Sequence, residues 1–108
     1  QSVASRQPTT TPTQALYLMN SPFVHARARG FAERLLAVRR DTRTRVRVAF
    51  EMAHGRLPGD REAETAIAFV AGYQKQLASE QATANQELTA WSALARVLLT
   101  SNAFLYVD

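Results

Sequence analysis

Residues 21–38 read SPFVHARARGFAERLLAV, and this stretch decides the fold. Val24, Ala28, Phe31, Leu35 and Val38 recur at alternating spacings of four and three. That period lines them along one side of an α-helix, whereas a strand would divide them between two faces. Ser21-Pro22 marks the start, because the residue before a proline is pushed out of helical backbone and proline fits the first helical turn. Together with Asn20, the pair separates this helix from a shorter one upstream. There Thr11-Pro12-Thr13-Gln14 has the form of a capping box, with Thr11 as N-cap and Gln14 reaching back, and Leu16 and Met19 follow.

Downstream, Asp41 or Thr42 caps a third helix with Val46, Ala49, Phe50 and Ala53 on its inner face and Gly55 as a left-handed stop. Leu57-Pro58-Gly59 forms a turn. A fourth helix begins near Asp60, with Glu62 and Glu64 where the helix dipole favours negative charge. Its buried side is Ala63, Ala66, Ile67, Val70 and Leu77, with Tyr73 nearby. Ser79 to Glu87 is polar and compatible with a loop or with an extension of either neighbour; Thr83 with Gln86 offers one cap. Leu88, Trp91, Ala95 and Leu98 form the stripe of a fifth helix. The closing Phe104-Leu105-Tyr106-Val107 is expected to pack on the bundle, the alternative being a strand or hook docked on a neighbouring domain. Trp91, Phe31, Phe50 and Phe104 are expected to meet in one core. The sum is a single all-α domain over residues 11–108, four longer helices plus a short first one, behind a polar linker or arm at residues 1–10.

Composition agrees with that architecture. A chain of 108 residues with 46% hydrophobic and 20% charged residues is one small globular domain, neither disordered nor collagen-like. The absence of cysteine removes disulfides, thiolate metal sites, cysteine nucleophiles and the C-x-x-C-H run of c-type haem attachment. Opening on Gln1, without a methionine, reads as a piece of a longer protein. No membrane span is expected, since the apolar run Ala93–Leu99 contains Arg96 and falls well short of the ~20 residues a span requires.

The net charge of +4 is unevenly spread. Residues 27–47 hold eight arginines against Glu33 and Asp41, while residues 61–108 are mildly acidic. Arg39, Arg40, Arg43, Arg45 and Arg47 are the strongest candidates for a binding face, because guanidinium groups suit carboxylates and other oxyanions. The functional reading is an acidic polysaccharide, an acidic protein or another polyanion as partner. Nucleic acid is disfavoured, for lack of interleaved aromatics or a helix-turn-helix pattern. The plainer reading pairs these arginines with Glu33, Asp41, Glu51 and the acidic second half.

No catalytic, metal or cofactor-binding residue is assigned, and no cofactor is expected. His25 and His54 fall on different helices without a ligand partner at i+4. His54, just before the Gly55 stop, meets the helix C-terminal dipole favourably. Ser21, Ser92 and Ser101 lack a nucleophile turn or a visible base. Glu62 and Glu64, two apart, point to different sides of a helix.

Three segments carry a family resemblance. Thr11-Pro12-Thr13-Gln14-Ala15-Leu16 runs on to Met19-Asn20-Ser21-Pro22-Phe23-Val24; Ala49-Phe50 precedes Gly55-Arg56, Pro58 and Glu62; and Trp91-Ser92-Ala93-Leu94-Ala95-Arg96 leads through Leu98-Leu99 and Ser101-Asn102 to Phe104-Leu105-Tyr106-Val107-Asp108. In that order they resemble the C-terminal domain of unknown function in large planctomycete cytochrome-c-associated proteins. Departures are Gly59-Asp60 where a Thr-Pro pair is usual, Thr100 where Asn is usual and Ala103 where Glu is usual. The resemblance implies a periplasmic or secreted location and membership of a multidomain chain, and it brings no catalytic residues. The expected role is a non-catalytic C-terminal structural or interaction module that contacts the preceding domains of its parent. The alternatives are an arginine-rich face for acidic polysaccharide or another polyanion, and part of an enzyme site completed by neighbouring domains.

Overall fold

The computed structural model describes residues 12–38, 41–80 and 85–105, with only the backbone at 12–15 and 102–105. It contains α1 (Pro12–Met19), α2 (Pro22–Val38), α3 (Thr42–His54), α4 (Asp60–Ser79) and α5 (Gln86–Leu105). No strand occurs among the described residues. The expected all-α bundle of four longer helices and a short first one is the observed fold.

Local chemistry sets the boundaries. Ser21 Oγ accepts from the Phe23 N–H at 3.2 Å, capping α2 where the Ser-Pro pair predicts it. Of the two candidates at the start of α3, Asp41 is the cap: its carboxylate accepts from the Thr44 N–H at 2.8 Å and the Thr44 hydroxyl at 2.6 Å. Gly55 ends α3 at φ 72°, a left-handed backbone that a Cβ disfavours, and donates its N–H to Glu51 O. The undecided segment at 79–87 separates two helices. α4 ends at Ser79, and Asn85 Oδ1 accepts from the Leu88 N–H at 3.1 Å to cap α5. The alternative cap, Thr83, lies outside the described residues.

α5 is the centre of the domain and packs against each of the other four helices. Leu88, Ala90, Trp91, Ala93, Leu94, Ala95 and Leu98 are all buried, so this helix is apolar nearly all round rather than along one stripe. Buried Thr100 stays within the helix for its hydrogen bond, donating to Arg96 O at 2.7 Å. The most extensive helix pairing is α2 on α5. It brings Ala28, Phe31, Ala32 and Leu35 into one cluster with Val46, Ala49, Phe50 and Ala53 of α3 and Ala63, Ala66 and Val70 of α4. Trp91, Phe31 and Phe50 meet in this core as expected; the side chain of Phe104 lies outside the described residues. The backbone of Phe104 and Leu105 continues α5 as helix, so these two residues form no strand. Ile67 and Leu77 of the expected α4 face are only partly buried, and two positions of the α2 stripe also differ from expectation. Val24 is only partly buried and Val38 is 51% exposed; they stand in the first and last turns of α2, at the two ends of the stripe. No helix among the described residues is long and apolar enough to cross a membrane.

Candidate functional site

The arginines of α3 do not share a face. Residues two apart on a helix diverge by about 160°, whereas residues four apart align. Arg43 and Arg47 therefore share the exposed side, and Arg45 turns inward beside Val46 and Ala49. Arg43 Nη2 lies 2.7 Å from Glu64 Oε2 on α4. Arg45 is only 4% exposed and is a core residue, a correction to its place among surface arginines. Its Nη1 donates to Glu87 Oε2 at 2.8 Å, its Nη2 donates to Leu36 O at 3.2 Å, and its guanidinium carbon sits 5.9 Å from the Trp91 ring centroid. The buried Nε has no hydrogen-bond partner among the described residues. Arg47 is exposed, and Arg39 and Arg40 lie outside the described residues. Both engaged arginines pair with carboxylates of the acidic second half.

Two concave surfaces flank α5. The first, a cavity of about 330 Å³ between α2 and α5, is lined by His25, Ala26 and Arg29 on one side and Leu88, Thr89, Ser92 and Arg96 on the other. Helical spacing explains the lining: His25 and Arg29 are one turn apart, as are Ser92 and Arg96. The second, an apolar groove of about 380 Å³ between α4 and α5 with Phe50 of α3 at its base, includes Ala66, Phe69, Leu94, Val97 and Leu98, with Arg61, Glu62 and Thr65 on its rim. Phe50, Ala66, Leu94 and Leu98 are buried, while Phe69 stands 36% exposed and leans on Tyr73 at 5.9 Å between ring centroids.

Glu62 anchors the rim. Its two oxygens accept from Arg56 Nη1 and Nη2 at 2.8 and 2.9 Å, and Oε1 also accepts from the Gly59 N–H at 2.8 Å. The glutamate thus supplies the helix-start contact at a position where Gly59 has no side chain to offer. The Arg56 hydrogen bonds, with the Gly59 N–H second, lower its pKa from 4.5 to about 2. The folded value lies below the unfolded one, so this stabilisation is complete above about pH 4.5 and is lost as the carboxylate protonates toward about pH 2. The side chain is 44% exposed, and solvent screening holds the contribution to about 0.5–1 kcal/mol. Glu62→Gln is expected to lower the urea midpoint near neutral pH, and the difference from wild type is expected to close as pH falls toward about 2. A gap that does not change with pH would contradict this account.

The two histidines have separate settings. His54 Nε2 donates to Leu98 O at 3.0 Å, and its ring meets Phe50 edge-on, tying the end of α3 to α5. His25 is exposed on the wall of the α2–α5 cavity. No group of three or more potential metal ligands occurs among the described residues.

Sequence reasoning did not assemble either groove. The one-turn spacings of His25 with Arg29 and Ser92 with Arg96 are legible, but their apposition is a tertiary fact.

Fold and surfaces together define a small all-α domain with two grooves on its central helix. The chain belongs to the PSD1 family, proteins of unknown function (DUF1553), whose family model matches residues 1–70. That match takes in α1, α2, α3 and the first half of α4, and so the first two of the three resembling segments; the third lies beyond it. No curated protein and no solved structure gives a significant match.

Proposed function

We propose that this chain is a non-catalytic interaction module of a larger secreted protein and docks a preceding domain of its parent through the α4–α5 groove. The observation that supports the reading is the groove itself: a concave apolar surface with Phe69 raised on its edge and a charged rim. Such surfaces, apolar at the centre and polar around it, are how proteins bury a partner's large side chains. The rim indicates the partner's chemistry. Arg56 is matched to Glu62 and Arg43 to Glu64, whereas Arg61 makes no ion pair among the described residues. The fitting occupant is an amphipathic helix of a preceding domain, with a bulky apolar side chain for the groove and a carboxylate for Arg61. Placement in a larger secreted chain rests on the resemblance to the C-terminal domain of planctomycete cytochrome-c-associated proteins.

The test mixes the 108-residue chain with the remainder of its parent protein, reading Trp91 fluorescence and light scattering. A complex is expected that Phe69→Asp weakens by at least ~10-fold, since putting a carboxylate in place of an aromatic contact on an apolar groove costs about 1.4 kcal/mol or more. Phe69 is partly exposed, so the variant keeps the fold, which circular dichroism checks. Absence of a complex, or one indifferent to Phe69→Asp, overturns the reading.

A further inference from the structure

The α2–α5 cavity lies apart from the docking groove, and its chemistry is different. We propose that it binds a single oxyanion group, a sulfate, phosphate or carboxylate carried by a small molecule. Arg29 and Arg96 carry the argument, and Ser92 supports it. Ser92 is 8% exposed, lines the cavity, and its hydroxyl makes no hydrogen bond among the described residues. Its oxygen is not sealed within the protein, so it is open to donate to a molecule in the cavity it lines.

The surrounding groups select the partner's charge. Arg29 and Arg96 enter the cavity from opposite helices, and no carboxylate lines it. Arg96 is half-buried and has no ion pair among the described residues. Arg29 has only Glu33, at 3.7 Å with both side chains well exposed, an arrangement worth little in water. The Thr89 hydroxyl is already spent, donating to Asn85 O at 2.9 Å, and its oxygen remains an acceptor. A water molecule would satisfy Ser92 but leave Arg96 without a counter-charge and Arg29 with only the solvent-exposed Glu33. An oxyanion accepts from Ser92 and both arginines at once, with His25 as a further donor at the mouth. The volume of about 330 Å³ lies at the small end for ligand sites, which suits a single anionic group on a monosaccharide-sized body.

The experiment titrates the ¹⁵N-labelled chain with sodium sulfate, sodium phosphate or sodium glucuronate at constant ionic strength, with glucose as the neutral control. Saturable shifts are expected at the amides around Ser92 and His25, with a dissociation constant of order mM or tighter, and the tightest of the three anions identifies the group. Arg96→Gln and, at an exposed position that leaves packing untouched, Arg29→Gln are each expected to weaken binding by ~10-fold. Arg47→Gln, on the exposed side of α3, leaves it unchanged. No saturable shift with any of the three anions, an equal response to glucose, or wild-type affinity in both Arg96→Gln and Arg29→Gln overturns the proposal.

Discussion

Replacing Trp91 by alanine is expected to cost about 3–5 kcal/mol, a large part of the stability of a domain this size. The residue is 1% exposed on a helix that touches every other helix, so the cavity opens at the centre rather than under one element. Burying an indole removes roughly 150–250 Å² from water, worth about 4–6 kcal/mol gross. Four helices meeting around α5 leave little room for the backbone to collapse into the space. Loss of the ring also removes the π-face above which Arg45 sits. Trp91→Phe keeps an aromatic ring and is expected to cost about 1–3 kcal/mol. Urea denaturation followed by far-ultraviolet circular dichroism reads both variants. A Trp91→Ala midpoint close to wild type would mean that α5 is not the central strut.

The second large effect concerns Arg45 and Glu87, where the two partners are unequal. Arg45 is inside and Glu87 is 52% exposed, although they meet at 2.8 Å. Removing the acid leaves a guanidinium in the core without its counter-charge. Glu87→Ala is therefore expected to cost about 2–4 kcal/mol, moderated by water that reaches Nη1 where the carboxylate stood. Arg45→Met replaces the buried stem with apolar volume and leaves Glu87 free to turn to solvent. Its main loss is the bond to Leu36 O, so it is expected to cost about 1–2 kcal/mol. The order runs against intuition, since deleting the exposed partner hurts more than replacing the buried one. The double variant is expected to match Arg45→Met alone, because without the guanidinium Glu87 has nothing to compensate. A tolerated Glu87→Ala beside a severely destabilised Arg45→Met would show that Arg45 is held by packing rather than by its ion pair.

Arg45 also shows where sequence reading stops. The alternation Arg43-Thr44-Arg45-Val46-Arg47 looks like one basic face, yet helical geometry separates 43 from 45 and aligns 45 with Ala49. That arithmetic was available; what hid the answer is the rule that arginine stays in water, which a reachable glutamate 42 residues away overrides. Punctuation was legible because it is local chemistry. Ser21-Pro22, Asp41, Gly55 and the Leu57–Gly59 turn stand where backbone sterics and side-chain acceptors require them. The five helices followed from those marks and the three-four period. Burial around α5 was less legible. Alanine suits an exposed helix face as well as a core, so Ala90 and Ala93 carry no signal until α2 and α4 are placed against them. The grooves depend on which helices meet, and no single segment contains that. Phe69 reads as one more apolar residue of α4, and Ser92 as a small polar residue on an apolar helix. Their roles appear only when Arg61, Arg29 and Arg96 are brought beside them.

The two sides of α5 are proposed to take different partners, and one set of spectra tests this. Amide shifts of the ¹⁵N-labelled chain would be mapped on adding the remainder of the parent protein, and separately on adding sulfate. The parent is expected to perturb residues around Thr65, Phe69 and Val97, and sulfate those around His25 and Ser92. Parent-induced shifts confined to other surfaces, with Thr65, Phe69 and Val97 unmoved, would contradict the docking assignment even if the sulfate response were as expected.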